Sequence, residues 1–288
     1  MSAPIAIPAL IFPSPLKQVS DAELGNFARL IYERTGIHVS PQKKTLLSNR
    51  LRRRLRETGI GEFSAYYRHL KRLKDADPEW DAFLQEITTH ETYLFRDESQ
   101  WDWFRSGFLA NCAAESRFGE GKRTLRIWSA ACSTGDEPFT AACCIAATLP
   151  NLAQWNIRIL GSDIGVGALA QARSGVFGER AMRLAPEDYR RRFFIKAPNA
   201  QIWQARPMLA SMIEFKQHNL MHPLREKPFD LVFLKNVLIY FDAASKRTVM
   251  NGVRAMIRPG GLLVAGAAEG IAEIAKDFER LQPWLYRK

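Results

Sequence analysis

Five polar residues of this chain stand where α/β proteins do chemistry. The stretch LRIWSAACSTGDEPFTAACC, Leu125 to Cys144, runs from an apolar segment through small polar residues into a second apolar segment opened by Asp136-Glu137-Pro138. That is a strand, a tight turn and a helix. Ser133, Thr134 and Gly135 let a backbone approach a ligand closely, and Glu137 can accept hydrogen bonds from ribose hydroxyls. As bare structure the same residues make an ordinary strand-to-helix turn, with an acid where the helix dipole favours one. Gly135 is the one glycine of the turn, so the dinucleotide fingerprint G-x-G-x-x-G is missing. Asp163 ends the next apolar run, Ile157 to Gly161, where nucleotide-binding α/β folds hold ribose hydroxyls. Asn236 and Tyr240 follow a third run, Phe229 to Leu234, and ligands bind outside the carboxyl ends of such strands. Without a ligand they read as a capping Asn and a core Tyr. Arg96, in ITTHETYLFRD, reads on its own as the salt-bridge partner of a nearby acid.

The elements that must position these residues follow from periodicity. Ser20-Asp21-Ala22-Glu23 is a capping-box start, with Leu24, Phe27 and Ile31 at helical spacing and Gly36 as the stop. Ser40-Pro41 opens a second helix that Gly59 ends. Its Leu47, Leu51 and Leu55 form an apolar stripe, and Arg50, Arg52, Arg53 and Arg56 cover most of the opposite side. Phe63, Tyr66, Tyr67 and Leu70 mark a third helix; Trp80, Phe83, Leu84 and Ile87 mark a fourth. The expected organisation is a flexible lead over 1–19, an all-helical domain over 20–88 and a junction over 89–100. An α/β domain over 101–288 completes the chain, with a small strand insert at about 178–216 from the short runs around Phe193, Ile202 and Met212. Asp242 to Met256 reads as a helix, Arg258 to Gly261 as a turn, Leu262 to Ala265 as a strand and Trp284 to Tyr286 as an edge strand.

Composition narrows the partners. The 288 residues carry 41 Lys or Arg against 30 Asp or Glu, a formal charge of +11, with 47% hydrophobic residues to build a core. Between Lys43 and Lys74 stand eleven lysines and arginines against two acids, Glu57 and Glu62, so most of the excess charge lies in the helical part. A charge run is usually a solvated face; with so few interleaved acids, self-repulsion favours a docking surface for an acidic partner. The four cysteines, Cys112, Cys132, Cys143 and Cys144, show no C-x-x-C pair, which fits a reduced intracellular protein without a metal site. Prolines at 4, 8, 13 and 15 break any signal helix, and no apolar run is long enough to span a membrane.

With the pieces placed, the chain resembles the CheR-type chemotaxis receptor glutamate methyltransferases from about residue 20 to the C-terminus. The resemblance rests on four separated motifs in order: SNRLRRRLRETG, ITTHETYLFRD, RIWSAACSTGDEP, and FLKNVLIYFD before RPGGLLVAG. It implies a Rossmann-like S-adenosylmethionine methyltransferase domain behind the all-helical N-terminal domain, in a cytoplasmic monomer that methylates glutamates on the helical region of chemoreceptors. Residue by residue, it implies cofactor contacts from His90, Thr92, Arg96, Glu137, Asp163, Asn219, Leu220, Lys235 and Asn236. Arg96 and Tyr240 match the catalytic positions nearest the methyl and the substrate carboxylate, and Arg50, Arg53 and Arg56 the receptor-docking face. The chain departs from the family pattern at His90 for Asn, Leu94 for Phe, Asp136 for Glu and Lys235 for Arg. Ala267-Ala268-Glu269-Gly270 replaces a more polar run. The loop Lys196 to Ala200 is short and lacks a glycine, which argues against a tethered receptor peptide.

The implied chemistry suits these residues. A glutamate side chain, with a pKa of about 4.3, is already ionised at neutral pH, so no general base has to create the nucleophile. Orientation in a dry site is what remains to be supplied. The rival readings are an RNA methyltransferase that uses the basic helix on phosphates, and a non-catalytic cofactor-binding signalling module. No base-reading motif supports the first, and the full set of matching cofactor positions weighs against the second. No nucleic acid, metal or membrane insertion is expected.

Overall fold

The computed structural model describes residues 18–117, 123–266 and 268–288. Of the expected flexible lead, residues 1–17 lie outside the described residues.

Four helices come first: α1 (Asp21–Thr35), α2 (Lys44–Thr58), α3 (Phe63–Arg72) and α4 (Pro78–Ile87). Ser20 and Glu23 form the reciprocal capping box at the start of α1, and Gly36 ends it in the left-handed conformation. Pro41 to Lys43 form a separate 3₁₀ turn, so α2 starts later than Ser40-Pro41 announces. The apolar stripes of the four helices meet in one core around Phe27, Leu51, Tyr66 and Phe83. Phe63, Tyr66 and Phe83 are thus packing residues, with ring contacts such as the 6.2 Å Tyr66–Phe83 edge pair.

Beyond the junction come α5 (Glu98–Trp103), a π-helical turn (Phe104–Leu109) and α6 (Ala110–Arg117), then β1 (Thr124–Ala130) and α7 (Asp136–Thr148). Next are β2 (Asn156–Asp163), α8 (Val166–Ser174), β3 (Val176–Gly178), α9 (Glu179–Met182), α10 (Glu187–Phe193), β4 (Phe194–Lys196) and β5 (Ile202–Ala205). The chain closes with α11 (Pro207–Ala210), β6 (Ile213–Gln217), β7 (Phe229–Leu234), α12 (Ala243–Met256), β8 (Ile257–Ala265), β9 (Glu279–Gln282) and β10 (Leu285–Arg287).

Seven strands make one sheet in the order β6-β2-β1-β7-β8-β10-β9. The first five run parallel, and β10 is antiparallel to β8. Alternate residues of each central strand face opposite cores. Ile127, Ile159 and Leu231 join the cluster under α5 to α7, whereas Trp128, Leu160 and Val232 join the one under α12. Burial on both faces explains why these strands read as continuous apolar runs. With helices packed on both sides, this is the Rossmann-like architecture the sequence implies.

Three expectations are corrected. The run at Met212 to Phe215 is not part of the insert: β6 pairs with β2 in the main sheet, and the small sheet is built from β3, β5 and β4 among the described residues. A short apolar run does not reveal which sheet it will join, because any free edge accepts it. Arg258 to Gly261 lie inside β8 at a register shift against β7, so the expected turn is a bulge. Leu285 to Arg287 is an inner strand, and β9 forms the edge.

Candidate functional site

The sheet order reverses between β2–β1 and β7, so the carboxyl ends of β1 and β7 flank the switch point where open α/β sheets bind ligands. A cavity of about 440 Å³ opens there. Arg96, Tyr240, His90, Thr92, Glu137, Asp163, Asn219, Leu220, Lys235 and Asn236 all line it. The junction, the turn after β1, the end of β2 and the segments flanking β7 bring these ten residues together.

The turn between β1 and α7 is built from left-handed residues. Ala131 has φ 61°, Ser133 φ 52° and Gly135 φ 89°. A Cβ on Gly135 would lie 2.9 Å from the Ala172 Cβ of α8, so glycine here answers both the backbone angle and a close approach. Asp163 Oδ2 accepts from the Ser133 N–H at 2.8 Å, and Oδ1 accepts from the Gly165 N–H at 2.9 Å. Each oxygen keeps a lone pair for a ligand. Glu137 Oε1 accepts from the Ser129 hydroxyl at 2.7 Å, and Oε2 lies 3.8 Å from the Lys235 ammonium. Burial pushes the Glu137 carboxyl upward, opposed by the Lys235 charge and the Ser129 hydroxyl.

Lys235 is more engaged than a cofactor contact requires. Its ammonium lies 3.1 Å from Asp97 Oδ2, donates to the Arg96 carbonyl at 3.3 Å, and faces the Trp101 ring at 5.3 Å. It thereby ties the junction to the turn after β1. The junction carries two further left-handed residues, Phe95 at φ 59° and Asp97 at φ 66°. Conformations of this kind cost on the order of 1–3 kcal/mol each and persist where surrounding contacts over-determine them. Here the Phe95 N–H donates to Thr140 Oγ1 at 3.0 Å, and the Trp101 indole donates to the Arg96 carbonyl at 2.7 Å. Arg96 itself donates to the Glu91 carbonyl at 3.3 Å and has no carboxylate partner among the described residues. That differs from its bare reading as half of a salt bridge.

The helical domain forms one wall. Gly36 turns the chain out of α1 against Met221, where a Cβ would meet the sulfur at 2.5 Å. The following His38 N–H donates to the Tyr240 carbonyl at 2.9 Å, and Ile37 bridges Phe241 in antiparallel fashion. Asn219 Nδ2 donates to the Arg34 carbonyl at 2.7 Å, and the Tyr32 hydroxyl donates to Asp242 at 3.0 Å. His38, Lys43 and Arg183 line the cavity as well, and sequence reasoning did not select them as site residues. Contact across domains brings in His38 and Lys43, and the end of α9 brings in Arg183; no local spacing encodes either.

Of the three docking arginines, Arg50 is placed differently from expectation. It donates to the Ile87 carbonyl and, at 2.8 Å, to Thr89 Oγ1, and it lines the cavity instead of lying on the outer face. Its burial lowers its pKa. Arg53 is exposed and pairs with Glu86 of α4 at 3.2 Å. Arg56 is exposed, with no ion pair among the described residues. Arg54 is the buried member of the run, held by Glu57 and by Glu79 at 2.5 Å. The acids that offset this helix thus come mainly from α4, out of reach of any i,i+4 count.

Two family profiles match: the CheR methyltransferase all-alpha domain over residues 22–88 and the CheR methyltransferase SAM binding domain over residues 90–285. The chain belongs to the CheR methyltransferase family. The chemotaxis protein methyltransferases of Salmonella typhimurium and Escherichia coli are each 33% identical to it over 264 residues, covering 90% of this chain and 88% of the relative. That of Borreliella burgdorferi is 29% identical over 274 residues, covering 94% and 95%.

The cavity fits S-adenosylmethionine on its own terms. Two carboxylates with spare lone pairs, Asp163 and Glu137, stand at the end of β2 and just beyond β1. Ser133 Oγ and His218 Nδ1 are buried without a hydrogen-bond partner among the described residues, and both residues line the cavity. Buried polar atoms left unpaired are costly, so these call for a polar ligand. Among the described residues no His/Cys/Asp/Glu group suited to a metal occurs, and no helix is long and apolar enough to cross a membrane.

Proposed function

We propose that this chain transfers the methyl group of S-adenosylmethionine to glutamate side chains of chemoreceptors in the cytoplasm, giving glutamate methyl esters. The observation that carries the reading is the convergence of Arg96 and Tyr240 on the cavity that Glu137 and Asp163 line, with Arg96 lacking a carboxylate partner among the described residues. Glu137 and Asp163 would hold the ribose hydroxyls of the cofactor, with Asn219 and Leu220 beside its adenosine and Thr92 and Asn236 as further contacts. Bound there, the cofactor supplies a methyl group already activated on a sulfonium.

The protein's part is positioning. The substrate carboxylate arrives ionised, so no residue has to take its proton. Arg96, held by the Glu91 carbonyl and stacked 5.6 Å from the Tyr93 ring, presents a guanidinium to that carboxylate. The Tyr240 hydroxyl, on a residue lining the same cavity, can donate to that group. Holding two reactants in line is worth roughly 7–11 kcal/mol of barrier. Arg96 must not grip the nucleophile more tightly before transfer than during it, or the gain is lost to ground-state stabilisation.

An RNA target is disfavoured by the same geometry: Arg50 and Arg54 of the basic helix are turned to internal partners. The test is to incubate the protein with methyl-labelled cofactor and a receptor preparation, then treat the product with mild base. A glutamate ester releases volatile methanol. Label that stays on the protein after alkali, or that appears on RNA, overturns the reading.

A further inference from the structure

Among the buried ionisable groups that the reading above leaves unused, Glu269 stands out. It is fully buried, at 0% exposure, although it is an acid in a short loop beyond β8. Burying a carboxyl group is expensive unless donors meet it. Its partner lies in the segment that carries Asn236 and Tyr240: Glu269 Oε1 accepts from the Val237 N–H at 3.1 Å.

That segment needs an outside acceptor. Asn236 is left-handed at φ 58°, and Leu238 to Tyr240 then form a 3₁₀ turn whose N-cap is Val237. The first N–H groups of a helical turn have no partner within it. A side-chain oxygen at the N-cap normally supplies one, and valine has none. Glu269 instead meets the N-cap residue's own N–H from 32 residues downstream, as the acid of a capping box does. The Val237 N–H is the one hydrogen-bond donor to the carboxyl group among the described residues, and Oε2 is buried without a partner; burial pushes the group's pKa upward, opposed by the nearby backbone amides. The glutamate is itself anchored: Lys246 of α12 donates to its carbonyl at 2.8 Å, and its own N–H donates to the Gly266 carbonyl at 3.3 Å. Gly266 must stay bare, because a Cβ there would lie 2.8 Å from Glu269 Oε1 and 3.0 Å from the Asn236 nitrogen.

We propose that Glu269 is a positioning residue for methyl transfer, whose carboxyl group holds the Asn236–Tyr240 segment in the conformation that sets Asn236 and Tyr240 at the cavity. The inference rests on the reading above for what the reaction is, but not for what Glu269 holds. It also gives a role to the one acid in the run Ala267 to Gly270.

The test combines kinetics with amide exchange. Glu269→Ala should lower kcat by tenfold or more, since a misplacement of about 1 Å near the chemistry can cost on the order of 10²-fold. Receptor KM should move little. Glu269→Gln keeps an oxygen for the Val237 N–H and should recover most of the rate, to within about threefold of the parent by the same reasoning. Should Glu269→Ala fail to fold, Glu269→Asp replaces it, because the shorter side chain withdraws the acceptor and should show the same kcat loss. Amide exchange at Val237 in the full chain, measured without receptor, should quicken in the Ala or Asp variant and stay slow in the Gln variant. An Ala or Asp variant with parental kcat per folded molecule, or a Gln variant no better than Ala, overturns the proposal. If the parent chain methylates no receptor, the substrate reading fails instead, and the exchange at Val237 alone decides: unchanged exchange in the Ala or Asp variant then defeats the role given to Glu269.

Discussion

The Lys235 ammonium lies 3.1 Å from the Asp97 carboxylate, with only 3% of the lysine side chain exposed, and so locks the strained junction onto the end of β7. Removing one partner of a buried ion pair typically costs 3–5 kcal/mol, but Asp97 is 40% exposed and water can partly replace the lysine. Lys235→Ala should therefore lower unfolding free energy by about 2–3 kcal/mol, below the fully buried range. It should also weaken cofactor binding, because Glu137 loses its counter-charge. Lys235→Arg should lose much less of either. Denaturant titration and calorimetry with S-adenosylmethionine check both halves. Equal stability of the Ala and Arg variants would mean that the clamp contributes nothing.

Asp163 carries the second prediction. It fixes the Ser133 and Gly165 amides and keeps one lone pair on each oxygen for a ligand. A hydrogen bond to a charged group contributes about 1.5–3 kcal/mol, so Asp163→Ala should weaken cofactor binding by about 10- to 100-fold. Unchanged affinity in calorimetry would move the ribose contact to another residue.

Much of this site is legible in the residues, and what is missing is missing for physical reasons. Glu137, Asp163 and Asn236 declare themselves because each follows an apolar run, and parallel strands buried on both faces read as such runs. Arg50 misleads because helical spacing gives its direction from the α2 axis but not the proximity of Ile87 and Thr89 on that side. Left-handed Phe95, Ala131, Ser133 and Asn236 leave no trace in composition, since only their surroundings stabilise them. Glu269 and the His38–Tyr240 hydrogen bond join segments far apart in the chain. Asn199, at φ 57°, turns the loop between β4 and β5 without the glycine the sequence lacks there.

His90 makes stability depend on pH. Burial holds its pKa below the ordinary histidine value, with Arg50 pushing the same way and Asp163 opposing. Its ring is 3.9 Å from Asp163 Oδ1, and Nε2 lies 2.7 Å from the Thr88 hydroxyl. A lowered folded-state pKa means that the unfolded chain takes up the proton first on acidification. This contribution is therefore complete above the unfolded value of about 6.5 and lost as pH falls through the folded value. His90→Asn, which removes the titrating ring, should flatten the fall in stability between about pH 7 and pH 5 relative to the parent. Parallel pH profiles for the two proteins, measured without cofactor, would show that the ring is not desolvated.

The basic helix separates docking from chemistry once Arg50 is set apart from its neighbours. Arg53 and Arg56 are exposed and line no part of the cavity, whereas Arg50 lines it and donates to the Ile87 carbonyl and the Thr89 hydroxyl beside His90. Exposed ion pairs contribute about 0.2–1 kcal/mol each. If the receptor presents an acidic helix to Arg53 and Arg56, as proposed, reversing both to Glu replaces attraction by repulsion, so receptor KM should rise by about 3- to 30-fold. Affinity for S-adenosylmethionine should stay at the parental value. Arg50→Ala should behave in the opposite way, weakening cofactor binding while leaving the outer face intact. Methylation by the parent should fall as salt rises, because screening at 0.15 M acts over about 8 Å. The double reversal should blunt that salt dependence, since its two attractive charges are gone. Steady-state kinetics on the three proteins across a salt series checks all of this. A double reversal with parental KM would leave Arg53 and Arg56 as plain solvated surface, and an Arg50→Ala protein with parental cofactor affinity would return Arg50 to the docking face.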